Sequence, residues 1–141
     1  MKRIMMSLLG MMMLVSWQVV HAEVVVIVNS ANTESSLTKK QAKKIFLGKR
    51  HSFPGGNAAK TVDQAEGSAT RDAFYKAVAK KSAEGMKGYW TQMIFSGKAS
   101  PPEAVDDAAA VKAWVAKNKA GIGYIDKAAV DDSIKVLLTL P

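Results

Sequence analysis

The chain has 141 residues, with 20 lysines and arginines against 12 aspartates and glutamates, a formal net charge of +8 and no cysteine. A length of this order builds one domain with its own core and not two. The missing cysteines exclude disulfides and a cysteine-borne lipid anchor, and the charge favours anionic ligands, an acidic protein surface or a membrane surface as partners.

Residues 1–22 read as a secretory signal peptide. Lys2 and Arg3 supply the basic start, Ile4 to Val15 the apolar core and Val20-His21-Ala22 the exit, with cleavage expected after Ala22. Ser7, Gly10, Ser16 and Gln18 interrupt a stretch already short for the roughly 20 apolar residues of a spanning helix, which argues against a retained anchor. The working domain is then residues 23–141, exported to the periplasm, where a chain of this size folds on its core without disulfides. Export argues against nucleic acid as a partner.

The exported part opens with Val24-Val25-Val26-Ile27-Val28, a β-branched run without alternation, which predicts a strand buried on both faces in the middle of a parallel sheet. Thr38-Lys39-Lys40-Gln41 is a capping box, and the helix it starts runs to about Leu47, burying Ala42, Ile45 and Phe46 and stopping at Gly48. Phe53-Pro54-Gly55-Gly56-Asn57 is a turn cluster. Lys60-Thr61-Val62-Asp63 predicts a second strand, and a helix with Phe74, Ala77 and Val78 on its apolar face begins at Gly67-Ser68. A third helix spans Ser82 to Phe95, with Met86, Tyr89, Trp90, Met93 and Ile94 at helical spacing.

Residues 97–102 read as a loop, and Asp106 or Asp107 caps a helix whose buried stripe is Val111, Trp114 and Val115. Ile122-Gly123-Tyr124-Ile125 and Ile134-Lys135-Val136-Leu137-Leu138 are strands. Strands alternating with helices over one lobe predict an α/β fold, a three-layer α/β/α sandwich.

The stretch with most chemistry is Val62-Asp63-Gln64-Ala65-Glu66-Gly67-Ser68-Ala69-Thr70-Arg71. A strand ends, Gly67 permits a tight approach, and Ser68 and Thr70 sit where a helix has N–H groups without intrahelical partners. Such a terminus favours an oxyanion, held by main-chain N–H groups and the two hydroxyls. The competing reading is that Ser68 simply caps its own helix, and the residues alone favour the cap.

Four segments, taken in order, resemble the phosphate-binding proteins of ABC importers (PstS-like): Val26-Ile27-Val28-Asn29, Leu37-Thr38 through Ile45-Phe46-Leu47-Gly48-Lys49, Glu66-Gly67-Ser68-Ala69-Thr70-Arg71, and Gly121-Ile122-Gly123-Tyr124. The resemblance implies a type II periplasmic-binding-protein-like lobe, similar to the family's second lobe, that meets phosphate or a related oxyanion. It implies Gly67, Ser68, Ala69, Thr70 and Arg71 as the ligand-binding set, with Gln64, Glu66 and Asn29 as secondary positions. The family's arginine two residues before the acidic position is Gln64 here, so much of the cationic complement to an oxyanion is missing unless Arg71 supplies it. A closed two-lobed cleft would need a second polypeptide, including a second copy in a homodimer. The implied partners are a membrane transporter or another periplasmic protein, and the competing class is an adaptor or signalling module that kept the fold without tight binding.

Lys39, Lys40, Lys43, Lys44, Lys49 and Arg50 form a basic run on the outward face of the first helix, which reads first as a solvated face and second as a docking patch. No cofactor or metal is expected, because His51 stands in a loop without a second ligand at metal-site spacing. Asp63 and Glu66 could be drawn as an acid/base pair, but strand-end carboxylates beside a helix amino end are more often capping or dipole partners. Ser68 lacks the elbow motif of a nucleophile, so an enzyme is not expected.

Overall fold

The computed structural model describes residues 23–141; the signal peptide expected over 1–22 lies outside the described residues. Five strands and four helices follow one another as β1 (Val24–Asn29), α1 (Lys39–Phe46), β2 (Lys60–Gln64), α2 (Ala69–Ala79), α3 (Ala83–Phe95), β3 (Glu103–Val105), α4 (Ala108–Lys117), β4 (Gly121–Asp126) and β5 (Ile134–Leu140). The strands form one sheet in the order β3-β2-β4-β1-β5.

The unbroken apolar run of β1 is explained by its place in that sheet. All six of its residues are buried; Val24, Val26 and Val28 point into one cluster and Val25 and Ile27 into another. The first cluster is filled from α1, α2 and α3 by Ile45, Phe46, Phe74, Tyr75, Val78, Met86 and Trp90. The second receives Val111 and Val115 of α4. Helices thus cover both faces, giving the three layers expected from the sequence.

The direction of β1 corrects the expected parallel sheet. It pairs antiparallel with both β4 and β5, while β2 pairs parallel with β4 and β3 parallel with β2, so β1 alone runs against the other four strands. Burial on two faces selects apolar residues whichever way the neighbours run, so the pattern reports position and not direction. The register of β1 against β5 shifts between Val26 and Ile27, and the Leu137 carbonyl beside that shift accepts from the Leu37 N–H.

The helix starts follow their caps. Thr38 and Gln41 exchange both bonds of the capping box, and Ser68, Ser82 and Asp107 each accept from a main-chain N–H three residues on. Ile94, expected on the buried stripe of α3, is 57% exposed, and Phe95 beside it is 95% exposed. Only Met86 and Trp90 of α3 are buried, because this helix leans on the domain by one narrow edge. Trp114 is partly buried rather than part of the closed stripe of α4. The strand β3 falls directly after the expected loop; with three residues and two of them exposed, it leaves no hydrophobic signature to read.

Gly121 and Gly123 explain the Gly-Ile-Gly-Tyr motif of β4. A methyl group on Gly123 would lie 2.8 Å from Val111 Cγ1 and 2.8 Å from Val62 Cγ1, so α4 can rest on the sheet only where this side chain is absent. One on Gly121 would meet the Asn118 carbonyl at 2.9 Å.

Candidate functional site

The carboxyl ends of β2 and β4 lie on the same edge of the sheet, because the two strands run parallel there. The chain leaves β2 at Gln64, turns through Ala65 to Gly67 and enters α2 at its cap, Ser68. Gly67 has φ +92° with nothing within 4 Å of the place a side chain would take, so a left-handed backbone makes the turn and leaves its outer side open. The N–H of Arg71 is taken by the Ser68 hydroxyl at 3.2 Å and that of Asp72 by the Ser68 carbonyl at 3.1 Å. Ala69 and Thr70 precede the first turn's closure, where main-chain N–H groups have no carbonyl four residues back within the helix.

Beneath this helix end lies a buried polar network. Asp63, 2% exposed, accepts from the Tyr75 hydroxyl at 2.6 Å, from the Tyr124 hydroxyl and from the Gln64 N–H at 2.9 Å. The guanidinium of Arg71 reaches back over the first turn, donating to the Gln64 carbonyl at 2.9 Å and standing 3.6 Å from Asp63. Its flat face is 5.6 Å from the ring of Tyr75. Burial, reinforced by the neighbouring Asp63 carboxylate, pushes both tyrosine hydroxyls well above their ordinary range and keeps them as donors. Phe74 stacks on Tyr124 at 4.0 Å between ring centres and fixes that ring from the other side.

Gln64, which stands where the resembling family carries arginine, is 3% exposed and turned inward. Its amide nitrogen donates to the Tyr124 carbonyl at 3.0 Å and its amide oxygen accepts from the Ser68 hydroxyl at 2.8 Å. Thr70 donates to the carboxylate of Asp126, whose two oxygens lie at 3.2 and 3.1 Å. Glu66 is exposed beside Gly67 and lines, with Arg71, Asp72, Ala83, Glu84 and Lys87, an open cavity of about 190 Å³.

The structure therefore brings Gln64, Glu66, Gly67, Ser68, Ala69, Thr70 and Arg71 together at one end of the sheet. It does not bring Asn29 to them. Asn29 closes the opposite end of β1, roughly 17 Å away at the rise of a strand. There its amide donates to the carbonyls of Val115 and Ala116 at 2.9 and 3.1 Å and ties down the last turn of α4. The imagined Asp63 and Glu66 pair is also split, the first buried under two tyrosines and the second in water. Sequence reasoning missed Asp126, Tyr75 and Tyr124 as neighbours of this site. The only signal available was that β4 ends in an acidic residue, and nothing local says which helix it faces.

The basic run separates as a solvated face: Lys39, Lys40, Lys44 and Lys49 are exposed, and Lys43 and Arg50 half-buried. Among the described residues no group of three or more histidine, aspartate or glutamate side chains is placed to hold a metal ion, and no helix is long and apolar enough to cross a membrane.

No protein-family model matches the chain, and no curated protein matches it. Solved structures do. A putative phosphate ABC transporter substrate-binding protein with bound phosphate from Clostridium perfringens shares 30% identity at a TM-score of 0.66, over 82% of this chain and 45% of its own. An ABC-type phosphate transport receptor from Vibrio cholerae gives 24% identity and a TM-score of 0.65, over 82% of this chain and 46% of that one. PstS from Borrelia burgdorferi agrees in fold at 14% identity and a TM-score of 0.61, over 82% of this chain and 47% of its own. The chain spans less than half the length of each. These neighbours are described as transport binding proteins and not as enzymes. The chain resembles the phosphate ABC transporter substrate-binding proteins, and its described residues form a single lobe of their α/β fold.

Proposed function

We propose that this protein is an exported, periplasmic PstS-like lobe that binds phosphate or a related oxyanion at the amino end of α2, in the service of ABC-type phosphate uptake. Residues 1–22 act as its signal peptide and 23–141 as its working domain. The main-chain N–H groups of Gly67, Ala69 and Thr70 meet the anion, the hydroxyls of Ser68 and Thr70 turn to it, and Arg71 supplies the positive charge from behind.

The observation that carries this reading is the left-handed, uncrowded Gly67 directly before the open first turn of α2, at the carboxyl edge of the sheet. The 30% identity to a protein holding phosphate supports the choice of anion. Binding is weak, in the millimolar range, for two reasons. Both hydroxyl protons are already engaged, by Gln64 and Asp126, and the carboxylates of Glu66 and Asp126 oppose a second negative charge.

Those same two hydrogen bonds favour a second reading, an adaptor or signalling module that keeps the fold with its anion site closed by its own side chains. Isothermal titration of the 23–141 protein with phosphate and with sulfate separates the two. A saturable heat in the millimolar range supports oxyanion binding, and no heat with either anion supports the adaptor.

A further inference from the structure

We infer that the protein has a second, separate ligand site for a small organic anion with an apolar body, such as an aromatic or aliphatic monocarboxylate. The site is the cavity of about 230 Å³ at the amino end of β2, between the exit of α1, the side of α3 and the loop that precedes β3. Lys60 begins β2 and Gln64 ends it, so this cavity and the α2 terminus lie at opposite ends of the same strand, roughly 13 Å apart.

Two features of the wall select the ligand. Its apolar floor is Ala59, Pro101 and Pro102, backed by the buried core side chains of Ile45, Phe46 and Trp90. Its charged part holds Arg50 and Lys60, and neither forms an ion pair among the described residues. Glu103, the one acidic wall residue, already accepts from the Trp114 indole N–H at 3.1 Å. Behind this wall the Trp90 indole N–H is buried with no acceptor among the described residues, in a residue only 6% exposed.

The wall thus offers the positive charge of Arg50 and Lys60 beside an apolar floor, which calls for an anion carrying a hydrophobic group. The volume lies below the usual range for drug-sized ligands, which restricts the ligand to about the size of benzoate. Inorganic phosphate fits the charge but leaves the apolar floor unused.

The test is titration of the 23–141 protein with benzoate, with acetate and phosphate run alongside, followed by calorimetry and by the Trp90 indole N–H resonance. Benzoate is expected to bind saturably in the millimolar range or tighter and to shift that resonance, with acetate at least about fivefold weaker. Arg50→Gln and Lys60→Gln each should weaken benzoate by about tenfold, while Ser68→Ala should leave it unchanged, so that failure of the phosphate reading and failure of this one remain distinct. The two charge variants sit at the surface rim, so their effect on benzoate is read without disturbing the core. No saturable binding of benzoate, or binding that survives the double Arg50→Gln/Lys60→Gln change, overturns the proposal.

Discussion

The hydroxyl of Thr70, on the first turn of α2, donates to the carboxylate of Asp126 at the end of β4, with both oxygens within 3.2 Å. A site aspartate therefore occupies the hydroxyl that an oxyanion would use, and places a like charge beside it. Replacing Asp126 with Asn removes that charge and keeps the size. Relief of one unit charge a few ångströms away in a water-exposed site is worth about 1 kcal/mol. Phosphate should bind roughly fivefold tighter to Asp126→Asn than to the parent in calorimetry, and less so as salt is raised.

Asp63 is the counterpart buried below. Asp63→Ala leaves the Tyr75 and Tyr124 hydroxyls and the Arg71 guanidinium without their shared acceptor. Urea unfolding should show a loss of about 3–5 kcal/mol, the range for removing one partner of a buried charge pair.

The two tyrosines set an alkaline limit. In the unfolded chain a tyrosine titrates near pH 10, whereas burial and Asp63 raise both groups in the folded protein. Above about pH 10 the unfolded chain therefore gives up protons that the folded chain keeps, and stability falls. The contribution is whole below that pH and is lost as pH climbs toward the folded values, at about 1.4 kcal/mol per pH unit for each group. Chemical denaturation between pH 9 and 11 should show a shallower decline in Tyr75→Phe than in the parent.

Gly123→Ala tests the close seating of α4 on β4. The new methyl meets Val111 and Val62 at 2.8 Å, so the helix must lift or the valines must leave their rotamers. Overpacking of this kind costs about 1–3 kcal/mol. Thermal unfolding should report it, and pairing the change with Val111→Ala should recover part of the loss.

How much of this was legible in the sequence depended on how local each signal is. The four helix caps stand within three residues of the bonds they make, so Thr38 and Ser68 were readable as caps, Ser82 as a helix start and Asp107 as one of the pair Asp106 and Asp107. The burial of β1 was readable because a two-faced environment leaves a continuous apolar run. Its direction was not, since strand pairing is decided across the sheet, between Val24 and Asp126, and leaves the composition of either strand unchanged.

The site divides along the same line. Residues 64 to 71 cluster because they are contiguous, so the sequence found them together. That Gln64 turns inward to Ser68 and that Thr70 is held by Asp126, 56 residues on, follow only from the packing of α2 over the ends of β2 and β4. The exposure of Ile94 was hidden because helical spacing reveals which residues share a face and says nothing of whether a neighbour covers it.

The central claim is that phosphate meets the main chain at the start of α2. Its most direct test is a phosphate titration of the 15N-labelled 23–141 protein, following the amide resonances of Gly67, Ala69 and Thr70. These three are expected to shift saturably and together in the millimolar range. Amide shifts that are absent, or that track phosphate only at residues remote from the amino end of α2, would contradict it.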